Sequence, residues 1–138
     1  MDIHYVAVGI ATVLQFIVGA VWYMPLFGKL WGRIHGFDTL SPEVQAQAQK
    51  DMMPLLLVQF VVTIVTTVVL AMFIGALPAS WNPYGIAGFV WLGFVLPTQI
   101  SAVIFGGTKP EWVVKKIAVA SGASFVCLMV AAAVLSMV

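Results

Sequence analysis

Residues 54–77 read PLLLVQFVVTIVTTVVLAMFIGAL, a run without one charged side chain. At 1.5 Å per residue such a helix is about 36 Å long, enough to cross a hydrocarbon core of roughly 30 Å. The run predicts a membrane-spanning helix. Working outward, residues 3–24, 86–105 and 117–138 share its character, and all six Lys and Arg and all five Asp and Glu lie outside these four runs. Apolar residues form 62% of the chain and charged residues 8%, against roughly 45–50% and about 25% in soluble domains. A chain of 138 residues cannot hide that much apolar surface in its own core, so the bilayer has to act as its solvent. The expected fold is an all-α integral membrane protein: one domain over residues 1–138, with four transmembrane helices.

The chain starts with Asp2 and His4 rather than a cationic segment. The first run is therefore expected to stay as an anchor and not to be cleaved as a signal peptide. Cys127 is the sole cysteine, which excludes an intrachain disulfide and a Cys-x-x-Cys redox pair. A net charge of +1 without a basic tract argues against nucleic acid as a partner.

The cations set an orientation. Lys29, Arg33, Lys50, Lys109, Lys115 and Lys116 all fall between the first and second runs or between the third and fourth. Cytoplasmic segments keep the excess of Lys and Arg. The expectation is a bacterial cytoplasmic membrane with both termini outside and the loops 25–53 and 106–116 cytoplasmic. Tyr5, Trp81 and Tyr84 then mark the outer interface, and Trp22, Tyr23, Trp31 and Trp112 the inner one.

Within the long inner loop, Ser41 and Pro42 open a stretch free of breakers to Met53, a good helix start. It is expected as a short interfacial helix over about 41–53, with Leu40, Val44, Ala48 and Met52 as its apolar stripe. Ser80 to Gly85 should reverse the chain tightly. Pro97, inside the third span, removes a backbone hydrogen bond and should kink it, with Thr98, Gln99 and Ser101 near enough to satisfy the freed carbonyl. The fourth span carries small-xxx-small pairs, Ala118 with Gly122 and Ala120 with Ser124, which let helices approach closely.

Polar groups at membrane depth are the candidate intramembrane site: Gln15, Gln59, Thr63, Thr67, Gln99 and Ser101. An amide facing lipid loses its hydrogen bonds, so these groups are expected to point inward. Two readings stand side by side. The groups bind helices together, or they line a polar path for a neutral solute. A proton or metal relay lacks any Asp, Glu, Lys or Arg at depth to carry it. His4 and His35 have no ligand-spaced partners, and His35, Asp38, Ser41 and Glu43 are merely close together in a polar loop. No catalytic, cofactor or metal site is expected, and the chain reads as a non-enzyme.

The run from Val21 through Trp22, Tyr23, Met24, Pro25, Leu26, Phe27, Gly28, Lys29 and Leu30 to Trp31, together with Trp91-Leu92-Gly93-Phe94, resembles the landmarks of a known family. It is the bacterial membrane family catalogued as domain of unknown function 1761, built of four-helix proteins of about this length. The resemblance covers essentially the whole chain and implies fold and membrane location; it brings no activity and no catalytic residues. Physically, Pro25 ends the first helix and Trp22 and Tyr23 anchor it. Alternatively, Trp22, Tyr23, Lys29, Trp31 and Arg33 contact an anionic lipid headgroup or amphipathic ligand. Small four-helix multidrug exporters rely on a glutamate in the first helix, where this chain has Gln15.

The functional expectation is a homo-oligomeric unit, a dimer in the simplest case, for permeation or transport of a small neutral or amphipathic solute. The alternative is a structural or accessory protein that binds lipid or a partner membrane protein. The bilayer is a partner in both, and the small-molecule ligand stays unassigned.

Overall fold

A computed structural model describes residues 2–138. Among the described residues four helices are long and apolar enough to cross a membrane, over Tyr5–Leu26, Pro42–Ala76, Pro83–Phe105 and Pro110–Leu135. The chain is all-helical, as expected.

The first span is α1 (Tyr5–Val21), continued by one π-helical turn over Trp22–Leu26. Pro25 has no N–H to give to the α ladder. The wider turn shifts the register, and Phe27 N–H closes on Trp22 O at 2.9 Å. Instead of running on as a loop, the chain then forms a short helix, α2 (Gly28–Ile34), which the sequence reading did not anticipate. It ends at Gly36, whose φ of +72° suits glycine far better than any other residue.

Ser41 caps the next helix through Oγ, which accepts from Val44 N–H at 3.4 Å, and Pro42 occupies its first turn. This helix, α3, runs unbroken over Pro42–Ala76. The segment 41–53 is helical as expected, but it is not a separate helix lying along the interface. Pro54 removes a single hydrogen bond, and the helix formers on both sides carry the helix through it. Asn82 caps α4 (Pro83–Val90) with its side-chain oxygen on Tyr84 N–H at 2.8 Å. A second π-helical turn over Trp91–Val95 joins α4 to α5 (Leu96–Phe105). It lies just ahead of Pro97 and absorbs the register change there, while Thr98 Oγ1 donates back to Phe94 O at 2.6 Å. The last helix, α6 (Val113–Leu135), starts four residues earlier than the sequence reading put it.

Helix α6 is the hub: α1, α4 and α5 lie against it, and α1 also carries α3 on its flank. The apolar core gathers where Ala7, Val8 and Ala11 meet Leu70, Ile86, Ala87 and the Leu128 to Leu135 end of α6. Lipid tails are as apolar as leucine, so helices associate in a membrane by close packing. Alanines supply it here, with Ala11, Ala87, Ala131 and Ala132 all inaccessible. Most small residues of α6 therefore serve contacts within one chain, while Ala118 is exposed.

Candidate functional site

The polar residues at membrane depth fall into three separate places. Gln15 is 5% exposed, and its Nε2 donates to Thr67 Oγ1 at 2.7 Å and to Ala11 O at 3.2 Å. Thr67 in turn donates to Thr63 O at 2.7 Å. This pair locks α1 to α3. Gln99 locks α5 to α6, donating from Nε2 to Ser124 Oγ at 2.7 Å, with its Oε1 buried and without a partner. Gln59 points away from the bundle; it is exposed, and its side chain reaches only Thr63 Oγ1, at 3.4 Å on the same helix. Thr66 and Ser101 are exposed as well. The six candidate groups thus do not converge on one cavity.

The aromatic and basic candidates around the end of the first span divide in the same way. Trp22 is half-buried, and its indole Nε1 donates to Val119 O at 2.9 Å. Its ring lies where Gly122 has no side chain; a Cβ there would stand 2.9 Å from Trp22 Cζ2. Trp91, which opens the other π-helical turn, does likewise with Ser121 O, also at 2.9 Å. Both indoles are helix-to-helix ties onto neighbouring carbonyls of α6. Tyr23 meets Trp31 edge to face at 4.9 Å between centroids, and Trp31 lies tilted against His35 at 4.5 Å. These rings stiffen the junction of α1 and α2.

Lys29 and Arg33 remain for a ligand. Four residues apart on α2, they share one helix face. That face lines an open groove of about 550 Å³ with Met24, Gly28, Gly32, Phe37, Asp38 and Gln45. Gly28 and Gly32 leave the α2 side without bulk. Gln45 Nε2 donates to Phe37 O at 3.0 Å and to Leu40 O at 3.2 Å, tying the far wall to the start of α3. Asp38 adds one carboxylate to the two cations. Sequence reasoning missed Phe37 and Gln45, and weighed Asp38 only beside His35, Ser41 and Glu43; Gly36 was the available signal, because a left-handed turn there folds the loop back beside α2. Among the described residues no group of three or more His, Cys, Asp or Glu is placed to hold a metal ion.

A family model described as "Protein of unknown function (DUF1761)" matches residues 6–136. No curated protein and no solved structure matches the chain.

Proposed function

The chain belongs to the DUF1761 family, and since membership assigns it no chemistry, we propose from the inner-face groove that it is a non-catalytic accessory membrane protein holding an anionic phospholipid headgroup. The observation that carries this is the shared face of Lys29 and Arg33 on a glycine-floored groove at the inner end of the first span. A guanidinium grips phosphate oxygens in pairs and an ammonium adds a point charge. At headgroup level each cation is worth about 1 kcal/mol towards an anionic surface. Asp38 and the Gln45 amide oxygen offer acceptors for headgroup hydroxyls, and Met24 and Phe37 meet the start of the acyl chains.

The distribution of Lys and Arg supports placing the groove on the cytoplasmic side of a bacterial inner membrane with both termini outward. The pairings of Gln15 and Gln99 support a packing role for those amides. Native mass spectrometry from lipid discs containing both anionic and zwitterionic phospholipid tests the reading. The chain should retain anionic phospholipid preferentially, and Lys29→Gln with Arg33→Gln should abolish the preference. Retention without preference would refute it.

A second reading, transport of a small neutral or amphipathic solute by an oligomer, is favoured by one observation: Gln59, Thr63 and Thr66 form a polar edge on α3 at membrane depth. It requires a cysteine at Gln59 to react with membrane-impermeant thiol reagents, and the accessory reading requires it to stay protected.

A further inference from the structure

The groove between α2 and the start of α3 is lined by donors on one side and acceptors on the other. Lys29 and Arg33 stand on α2, and Asp38 and Gln45 line the same groove from the turn Phe37–Thr39 and from α3. The hydrogen bonds that fold this loop use His35, Thr39 and Gln45. The charged ends of Lys29, Arg33 and Asp38 take no part in them, and all three residues are exposed. Gln45 is oriented by its bonds. An amide has two N–H donors and one carbonyl oxygen, and Gln45 commits Nε2 to Phe37 O at 3.0 Å and to Leu40 O at 3.2 Å. A flipped amide would set oxygen against both carbonyls. The polar atom that Gln45 has left for the groove is therefore Oε1, an acceptor.

The two sides are chemically opposite. Lys and Arg are donors without an acceptor, and an ionised Asp is an acceptor without a donor. A ligand made of acceptors alone, such as a bare phosphate monoester, suits the α2 side and is repelled by Asp38. The ligand that suits both sides has an anionic end and a neutral donor end. Charge narrows it further. Two cations and one carboxylate leave the groove one net positive charge, which one phosphodiester balances. An ethanolamine headgroup, whose ammonium cancels its own phosphate, leaves that charge unmatched. A serine headgroup carries its carboxylate on the same carbon as its ammonium, and a cardiolipin carries its second phosphate at the far end of the headgroup. Either one brings a second anion up to Asp38, a repulsion that discriminates against it. A glycerol headgroup brings hydroxyls there instead, donors for Asp38 and for Gln45 Oε1.

We propose that the groove selects a phosphoglycerol headgroup among anionic phospholipids, with Asp38 as the residue that sets the choice. This choice of headgroup rests on the reading of the groove as a headgroup site. Lys29 and Arg33 hold the phosphodiester through charge-assisted hydrogen bonds. Asp38 and Gln45 accept from the two hydroxyls. Asp38 weakens the attraction for every anion, and weakens it most for a headgroup that brings a second one.

The test is native mass spectrometry of the full chain from lipid discs that hold phosphatidylglycerol, phosphatidylserine, cardiolipin and phosphatidylethanolamine together, in equal amounts of phosphate. Phosphatidylglycerol should be retained at least about five-fold over the serine lipid and cardiolipin, the factor that one net hydrogen bond gives. Asp38→Asn keeps an acceptor and removes the charge. It should erase that ranking while retention of anionic lipid as a class holds or rises. Anionic preference without a ranking among the three anionic lipids would overturn the choice of headgroup and leave the headgroup site standing. No preference for anionic lipid would overturn both. A ranking unchanged in Asp38→Asn would overturn the role of Asp38. Glycerophosphoglycerol, the same headgroup without acyl chains, should not displace the retained lipid when added in excess, because Met24 and Phe37 meet the chains. Displacement would assign the groove to a soluble phosphodiester and overturn the lipid as its source.

Discussion

Gln15 donates from Nε2 to Thr67 Oγ1 across 2.7 Å, joining α1 to α3 between positions 52 residues apart in the chain. Both side chains are buried. Thr67 also donates to Thr63 O, so its hydroxyl both gives and accepts a hydrogen bond. Close by, Cys127 Sγ donates to Gln15 O at 3.6 Å, bringing α6 to the same level. The site is a three-helix junction held by polar groups that would lose their partners if the helices separated.

Breaking this junction from either side should give a coupled effect. Thr67→Val leaves the amide with Ala11 O alone, and Gln15→Leu removes the amide while Thr67 keeps Thr63 O. Each change is expected to destabilise the chain by about 1 kcal/mol. The double variant should fall short of the sum by about 0.6 kcal/mol, the average for interhelical hydrogen bonds in membranes. Reversible unfolding in mixed micelles measures the cycle, and strict additivity would mean that the two side chains do not interact.

The fit of Trp22 against Gly122 makes a different prediction. A methyl group on residue 122 would lie 2.9 Å from the indole, so Gly122→Ala should cost about 1–3 kcal/mol by overpacking. Trp22→Phe gives up the hydrogen bond to Val119 O but draws the ring back. Combined, the two changes should cost less than the sum of the separate losses. Thermal unfolding of the four chains reads this out, and an unperturbed Gly122→Ala would show that the ring moves aside freely.

The spans were legible because the solvent dictates them: charge is excluded from hydrocarbon, so the six cations lie outside the apolar runs, on α2, on the early turns of α3 and α6 and just before α6. The helix start at Ser41 was legible for a local reason, since a cap needs only its own first turn; the start at Asn82 was not, and the helix begins three residues before the expected span at residue 86. What each glutamine meets depends on helix rotation, which sequence period alone does not set. Gln15 and Gln59 both lie in polar stripes at helical spacing, yet one is buried and the other faces outward. Trp22 reads as an interfacial anchor until Gly122 is seen opposite it. The two helices expected over 41–53 and 54–77 are one for a similar reason: the single hydrogen bond lost at Pro54 is weighed against two flanking stretches that favour continuing.

The proposed orientation is checked by labelling from each side of the membrane. A cysteine at Ser80, in the turn between α3 and α4, should react with an impermeant maleimide applied from outside. One at Lys115 should react only once the cytoplasmic side is opened. The native Cys127, half-buried within α6, is replaced by serine in both chains so that the signal is clean. The reverse pattern would place the headgroup groove outside and remove the anionic inner leaflet as its source of ligand.

The continuity of α3 through Pro54 gives a length that can be measured. Spin labels at Glu43 and Met72 lie 29 positions apart on one helix, so an unbroken α3 separates their backbones by about 44 Å. If the turns before Pro54 instead lay along the membrane surface, at right angles to the span, the separation would fall to about 32 Å. Pulsed dipolar spectroscopy, with labelled chain diluted in excess unlabelled chain so that only distances within a chain are read, separates the two. The longer distance should persist in Pro54→Ala, because restoring an N–H at that position adds a hydrogen bond to a helix that already runs through it. A shorter distance in the native chain that lengthens in Pro54→Ala would show the proline acting as a hinge.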